Sequence, residues 1–213
     1  MTKEEVLHKI RLYVLISSKI ATRSVKETAE LVINGGADAI QLREKAISDS
    51  DFISLAGEVR DLTAKRGTLL IINDRVNVAR ELNADGVHLG QKDISVSAAR
   101  DIIGNEKVIG VSTHNIIQAR QALKDGADYI AIGPVYTTST KDYEPSVGLK
   151  VVQEVSREIN IPVFAIGAIT LENLDDVVKA GALRVAVCSV LISSKDISSS
   201  TRRLKTKLNQ LVN

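Results

Sequence analysis

Residues 69–75 read Leu-Leu-Ile-Ile-Asn-Asp-Arg, a short apolar run that ends in polar and charged side chains. Its apolar residues fall on both faces of a strand, which is typical of a parallel sheet covered by helices. Seven similar runs occur along the chain, at residues 12–17, 39–44, 86–90, 108–112, 129–134, 162–167 and 184–189. The sequence therefore predicts eight buried parallel strands.

The segments between these runs carry apolar residues at helical spacing. They include residues 24–34, 51–64, 115–124 and 171–179, and Thr170 is predicted to cap the last of these helices. Eight strand–helix units in 213 residues predict an α/β protein with a single (β/α)8 TIM barrel, close to the lower size limit of that fold. A doubly wound sheet is the alternative.

We expect one domain over residues 1–213, with residues 1–11 as an N-terminal extension or helix and residues 196–212 as a C-terminal helix. A short scheme of a small residue, alanine and aspartate precedes strands 2, 4 and 6, and a weaker copy precedes strand 8. The copies are Gly36-Ala37-Asp38, Asn83-Ala84-Asp85, Gly126-Ala127-Asp128 and Gly181-Ala182-Leu183. This alternation indicates a barrel in which the even-numbered strands differ from the odd-numbered strands in the residues that precede them. Selection of small residues at helix-to-strand turns is the simpler interpretation.

The composition argues against several classes of function. Tryptophan is absent and aromatic residues make up 3% of the chain, which disfavours a surface that stacks nucleic-acid bases. A net charge of +2 is too small to imply a polyanionic partner. The one cysteine, Cys188, has no partner for an internal disulfide, and no apolar run approaches the roughly 20 residues of a membrane span. With acidic residues near its N-terminus, the chain is expected to be a cytoplasmic protein with neither membrane nor nucleic-acid partners.

Polar side chains cluster where the predicted strands end, the edge at which barrels of this type carry their chemistry. Gln41, Arg43 and Lys45 alternate along the second strand, so all three would point to one side. Two cations on one face suit a phosphate or a diphosphate, although a solvated strand end is the alternative.

Two carboxylates follow neighbouring strands. Asp74 ends strand 3 and Asp93 follows strand 4, so together they could hold one Mg²⁺ that takes its other ligands from water and phosphate. The alternative is that each aspartate caps a helix.

Three further features complete the predicted site. Residues 135–147 form a long polar loop that we interpret as a mobile lid, with a surface loop as the alternative. Residues 167–170 and 188–189 follow strands 7 and 8, where backbone N–H groups often bind a monophosphate. His88 is expected in the core, and His114 lies near the site without a nucleophile or carboxylate to pair with.

Seven motifs in a fixed order resemble those of the thiamine-phosphate synthase family, over about residues 11–192. They are Gln41-Leu42-Arg43-Glu44-Lys45, Ile72-Asn73-Asp74-Arg75, His88-Leu89-Gly90-Gln91-Lys92-Asp93, Gly110-Val111-Ser112, Thr138-Ser139-Thr140-Lys141, Ala165-Ile166-Gly167 and Val187-Cys188-Ser189. The resemblance implies a transferase that joins 4-amino-2-methyl-5-hydroxymethylpyrimidine diphosphate to a thiazole phosphate, or its carboxylated form, and releases thiamine phosphate and diphosphate.

The resemblance also implies roles for individual residues. The pyrimidine diphosphate would contact Gln41, Leu42, Arg43, Glu44, Lys45, Asn73, Ser112 and Lys141, of which Arg43, Lys45, Ser112 and Lys141 are also expected to be catalytic. The thiazole phosphate would contact Thr138, Ser139, Thr140, Gly167, Cys188 and Ser189. Asp74 and Asp93 would bind one Mg²⁺ per active site. Independently of the resemblance, a homo-oligomer is one expectation for the assembly state.

The chain departs from the family pattern at two positions. Ala168 stands where a second glycine is usual, which matters if the backbone there needs a positive φ. Cys188 stands where valine is frequent. Two alternatives stay open, a thiazole tautomerase on the same barrel and a non-catalytic barrel that binds thiamine phosphate. The tautomerase family places a histidine after strand 6, where this chain has Pro134, and generally lacks the two aspartates.

Overall fold

The computed structural model of the protein describes residues 2–138 and 145–212. Eight parallel strands close into a barrel in sequence order, and β1 pairs with both β2 and β8. The strands are β1 Leu12–Ile16, β2 Ala39–Leu42, β3 Leu69–Asn73, β4 Gly86–Leu89, β5 Val108–Thr113, β6 Tyr129–Ile132, β7 Val163–Ile166 and β8 Val185–Val187. The predicted (β/α)8 TIM barrel is confirmed, and the doubly wound sheet is wrong.

Helices connect successive strands and surround the barrel. They are α1 Lys3–Lys9, α2 Val25–Asn34, α3 Asp49–Arg66, α4 Val76–Glu81, α5 Val96–Ile103, α6 Ile116–Lys124, α7 Gly148–Glu158, α8 Leu174–Lys179, α9 Ser189–Ile192 and α10 Ile197–Val212. None of those in the described part of the chain is both long enough and apolar enough to cross a bilayer.

One predicted cap is wrong. Thr170 does not cap α8, which begins at Leu174 after Asn173. The Thr170 hydroxyl accepts the N–H of Glu172, and the Asn173 side chain accepts the N–H of Thr170. These bonds stabilise a turn before the helix, because short polar side chains favour such local bonds over helix continuation.

Two layers of apolar side chains form the core. The larger layer lies between strands and helices and is mainly aliphatic, as expected from a composition poor in aromatic residues. The smaller layer fills the barrel and contains Tyr13, Tyr129 and Phe164, whose rings pack edge to face with centroids 5.4–6.1 Å apart. Three of the six aromatic residues of the chain therefore meet inside the barrel.

Gly110 on β5 makes room for one of these rings. A Cβ built at this glycine would overlap the Tyr129 ring, which lies on the neighbouring strand β6. The glycine is therefore required by a close approach of side chain to backbone.

The repeated aspartates join neighbouring strands at the amino ends of the barrel. One carboxylate oxygen of Asp38 accepts the N–H of Leu12 at 2.9 Å, and Asp128 accepts that of Ile109 at 2.7 Å. Asp85 accepts the N–H of Leu70 at 2.8 Å and a bond from the guanidinium of Arg60 at 2.7 Å. A carboxylate before each of β2, β4 and β6 is thus bonded to the preceding odd strand, which explains these three copies of the repeat physically.

The fourth copy of the repeat, before β8, lacks the aspartate, and an arginine makes a different contact there. Arg184 precedes β8 and donates to the carbonyl of His8 at 3.2 Å, at the carboxyl end of α1. Burial and the neighbouring Arg11 lower the pKa of Arg184 to about 10. A guanidinium at a helix carboxyl end offsets the partial negative charge there, so Arg184 helps to hold α1 under the barrel.

Candidate active site

A cavity lies at the carboxyl ends of the strands, and all eight strands contribute to its wall; its empty space, including the part open to solvent, is about 1020 Å³. Eight of the predicted site residues line it: Gln41, Arg43, Asn73, Ser112, Thr138, Gly167, Cys188 and Ser189. Ser139, Thr140 and Lys141 lie outside the described residues, as does much of the predicted lid. The barrel therefore brings residues from β2, β3, β5, β7 and β8 to one space.

The residues of the motif at the end of β2 differ in location, because some line the cavity and others contact neighbouring parts of the protein. Gln41 is 2% exposed and donates from its amide nitrogen to the Tyr13 hydroxyl at 2.7 Å. Leu42 is fully buried in the core between strands and helices, so its side chain does not reach the cavity. Glu44 accepts bonds from the backbone N–H and the hydroxyl of Ser18. Its carboxylate holds the β1–α2 loop against the end of β2.

Lys45 does not continue the alternation of Gln41 and Arg43, because β2 ends at Leu42. Its ammonium lies 2.5 Å from a carboxylate oxygen of Asp74. Gln41 and Arg43 line the cavity, and Lys45 lies at the end of β3 instead.

Neither of the two predicted metal ligands caps a helix, so that alternative is wrong. The residue before α4 is Arg75, and α5 is capped by the Ser95 hydroxyl. Asp74 has a φ of 49° and donates its N–H to the carbonyl of His88, which places it beside the end of β4. Asp93 accepts the N–H of Gly90 at 2.6 Å in the turn that follows β4.

The two aspartates offer carboxylate oxygens, a donor type that suits some metal ions and not others. Within residues 2–138 and 145–212, no group of three or more histidine, cysteine, aspartate or glutamate side chains is placed to hold a metal ion. The side chains of these residues therefore do not by themselves form a complete coordination shell for a metal ion. Two hard oxygen donors suit Mg²⁺, which keeps waters and takes substrate phosphate oxygens. The ammonium of Lys45 against Asp74 shows that this position accommodates a positive charge.

The opposite side of the cavity is built by the ends of β7 and β8. Gly167 has a φ of 114°, and a Cβ there would overlap Pro134, which follows β6 through a cis peptide bond. Ala168 adopts a φ of 48°, so this position does take the conformation that favours glycine. Asn173 donates to the carbonyl of Ala168 at 3.0 Å, which helps to hold the loop in that shape.

Cys188 is partly buried in the cavity wall. Burial raises the pKa of its thiol to about 11, although the nearby Arg43 acts in the opposite direction. The thiol is therefore protonated at neutral pH and behaves as a small, weakly polar group.

The floor of the cavity contains a chain of hydrogen bonds that the sequence did not reveal. The Tyr13 and Tyr129 hydroxyls lie 3.1 Å apart, and Tyr129 lies 3.0 Å from Nδ1 of His88. Nε2 of His88 lies 2.9 Å from the Ser112 hydroxyl. Burial raises the pKa of both tyrosines, so both keep their phenolic protons. His88 is in the core as predicted, but its ring connects two polar groups instead of only packing.

His114 also lines the cavity. Its Nδ1 lies 2.6 Å from the carbonyl of Gly133, and because a carbonyl only accepts, this nitrogen carries a proton. The sequence placed His114 near the site but gave no sign of this contact, because Gly133 belongs to the next strand–helix unit.

The comparisons with known proteins agree with the motifs. A family model described as thiamine monophosphate synthase matches residues 12–191. The thiamine-phosphate synthase of Chloroflexus aurantiacus is 44% identical over 197 residues, which cover 92% of this chain and 91% of that protein. The thiamine-phosphate synthase of Clostridium novyi is 42% identical over 196 residues, with coverages of 91% and 96%.

A solved structure extends the agreement to three dimensions. The thiamine phosphate pyrophosphorylase of Pyrococcus furiosus superposes with a TM-score of 0.90 at 30% sequence identity, covering 98% of this chain and 100% of that one. The predicted resemblance is confirmed by the family model, by the relatives and by this structure. The chain belongs to the thiamine-phosphate synthase family.

Proposed function

We propose that the cavity joins 4-amino-2-methyl-5-hydroxymethylpyrimidine diphosphate to a thiazole phosphate, producing thiamine phosphate and diphosphate. The observation that carries the proposal is the presence of two polar sides in one cavity. Gln41, Arg43, Asn73 and Ser112 approach from β2, β3 and β5, and residues 167 and 188–189 approach from β7 and β8. Two substrates bound on these sides would meet above the barrel axis.

The diphosphate is assigned to the side that carries the cations. Arg43 lines the cavity, and Lys45 lies beside Asp74, which directly follows the cavity residue Asn73. A guanidinium binds phosphate oxygens through two parallel bonds, whereas an ammonium acts as a compact charge. We assign Lys141 to the same side on the family motif.

The thiazole phosphate is assigned to the side formed by Gly167, Cys188 and Ser189, with Thr138, Ser139 and Thr140 as further contacts. Gly167 keeps the backbone close to the cavity, because any side chain there would collide with Pro134. Loops after strands 7 and 8 of such barrels commonly bind phosphate through backbone N–H groups.

Mg²⁺ is the proposed cofactor, with Asp74 and Asp93 as its protein ligands. When bound, it would offset the negative charge that develops on the departing diphosphate. Lys45 would then be released from Asp74 and turn toward the phosphate oxygens.

The proposed reaction is a dissociative substitution. The C–O bond to the diphosphate breaks with its electron pair on oxygen, and the electron-rich aminopyrimidine stabilises the methylene cation that remains. The thiazole nitrogen then donates its lone pair to that carbon. This nitrogen has no proton to lose, so the step requires no general base. Arg43 and Ser112 would act by holding the leaving group and the ring in position.

A direct assay tests the proposal. Purified protein incubated with both substrates and Mg²⁺ should release thiamine phosphate and diphosphate in equal amounts. Folded protein that releases neither product would overturn the assignment. Isomerisation of the thiazole phosphate alone would favour the tautomerase alternative, and binding of thiamine phosphate without turnover would favour a non-catalytic barrel.

A matched pair of variants tests the metal ligands. Asp93→Ala should lower kcat by about 100-fold or more while the affinity for the thiazole phosphate stays unchanged. Asp101→Ala removes an exposed carboxylate on α5 and should leave both quantities unchanged. Unaltered turnover in Asp93→Ala would remove the metal assignment. Location in the cytoplasm and assembly as a homo-oligomer stay predictions from the sequence.

A further inference from the structure

The chain of hydrogen bonds under the cavity connects two groups on its wall. It runs from the Gln41 amide through the Tyr13 and Tyr129 hydroxyls and the His88 ring to the Ser112 hydroxyl, over bonds of 2.7, 3.1, 3.0 and 2.9 Å. Its three middle members are each at most 5% exposed. The inner members are therefore largely shielded from bulk water, and each is hydrogen-bonded to its neighbours in the series.

The donor at one end of this series of hydrogen bonds determines the donor-to-acceptor direction of all the others. The amide nitrogen of Gln41 can only donate, so the Tyr13 oxygen accepts from it. If Tyr13 also accepted from Tyr129, its own hydrogen would be buried without a protein acceptor, which is disfavoured. Tyr13 therefore donates to Tyr129, and Tyr129 donates to Nδ1 of His88.

The protonation of the His88 ring then determines the direction of the last hydrogen bond, which is made to Ser112 on the cavity wall. When Nδ1 accepts, the neutral ring carries its proton on Nε2, which donates to the Ser112 oxygen. The Ser112 hydrogen is then available to point toward a ligand. At the other end, Gln41 uses its nitrogen inward and can present its oxygen to the cavity.

We propose that Tyr13, Tyr129 and His88 are positioning residues that make Gln41 an acceptor and Ser112 a donor toward the bound pyrimidine. This inference rests on the proposed function for the identity of the ligand. An aminopyrimidine diphosphate offers both complements, because its amino group donates and its ring nitrogens and phosphate oxygens accept. A ligand with the opposite arrangement would leave polar groups unpaired and be rejected.

The protonation of the His88 ring tests the inference without any enzyme assay. Long-range ¹H–¹⁵N correlation spectra of ¹⁵N-histidine-labelled protein report which ring nitrogen carries the proton, and a His88→Gln variant assigns the signals. We expect a proton on Nε2 and none on Nδ1. A proton on Nδ1, alone or together with one on Nε2, would overturn the proposed direction even if the synthase reaction proceeds.

A pair of isosteric variants tests how the direction is imposed. Tyr129→Phe removes the hydroxyl that donates to Nδ1, so the His88 ring should become a mixture of tautomers. Tyr136→Phe removes the same atom from a tyrosine that does not line the cavity, and should leave the spectrum unchanged. An unaltered His88 tautomer in Tyr129→Phe would mean that the chain does not control it. Should Tyr129→Phe fail to fold, the wild-type spectrum still decides the direction.

Steady-state kinetics distinguish positioning from general weakening of the structure. Tyr13→Phe and Tyr129→Phe should each raise KM for the pyrimidine diphosphate by about 3- to 10-fold, the effect of one hydrogen bond. KM for the thiazole phosphate should stay unchanged. An equal rise in both KM values would contradict the inference, whereas absence of any turnover in the wild type would contradict only the proposed function.

Discussion

Gly110→Ala should disrupt the barrel interior, because the new methyl group overlaps the Tyr129 ring. The ring cannot move aside easily, since it is 1% exposed and packs against Tyr13, Phe164 and His88 with centroids 5.4–6.1 Å away. Excess volume in a packed core costs about 1–3 kcal/mol. Displacing the Tyr129 hydroxyl weakens two hydrogen bonds, at about 0.5–1.5 kcal/mol each. The expected loss is therefore about 2–6 kcal/mol.

Urea unfolding measures this loss, and two further variants make the test specific. Gly57→Ala lies in α3, where a Cβ meets nothing within 4 Å, and should stabilise the protein by about 0.5–1 kcal/mol. Tyr129→Leu vacates the space that the methyl group needs. The double variant Gly110→Ala/Tyr129→Leu should therefore be less destabilised than the sum of the single variants. Strict additivity, or a Gly110→Ala protein as stable as the wild type, would refute the reasoning.

Three other outcomes follow from the same structure. Asp85→Ala removes an acceptor of one backbone and one guanidinium bond and should lower the free energy of unfolding by about 2–4 kcal/mol, whereas the exposed Asp101→Ala should change it by less than about 0.5 kcal/mol. Cys188, with its pKa raised to about 11, should react with iodoacetamide at pH 8 on the order of 100-fold more slowly than a free thiol, and an equal rate would contradict the burial argument. The hydrogen bond from Arg120 lowers the pKa of Glu158, so the contribution of this pair to stability is present above the unfolded pKa and lost as the pH falls through the folded value. NMR titration should find a higher Glu158 midpoint in Arg120→Gln, and equal midpoints would contradict the pairing.

The pattern of apolar strands was sufficient to predict most of the fold. Runs such as residues 69–73 are apolar on both faces, and only a sheet covered on both sides buries both faces of a strand. Polar residues at the carboxyl ends of such runs must lie at the same edge of a parallel barrel, so the position of the cavity could be predicted from the strands. Asn73 and Ser112 reach the cavity for this reason.

The pattern lost its predictive value where strands end. Alternation assigned Lys45 to the same side as Gln41, but β2 ends at Leu42 and the chain turns. Beyond that point, long-range partners decide the direction of a side chain. Asp74 attracts Lys45, and Ser18 holds Glu44, and neither partner is near in sequence.

The sequence by itself determined the barrel, the edge that carries the site and the family, because these depend on local periodicity and on motifs in a fixed order. Only the tertiary structure decided that Gln41 and Ser112, 71 positions apart in the printed numbering, are joined through Tyr13, Tyr129 and His88. Barrel closure brings β1, β2, β4, β5 and β6 around one interior, where buried donors must find acceptors across strands. No local pattern encodes that pairing, since each partner comes from a different strand.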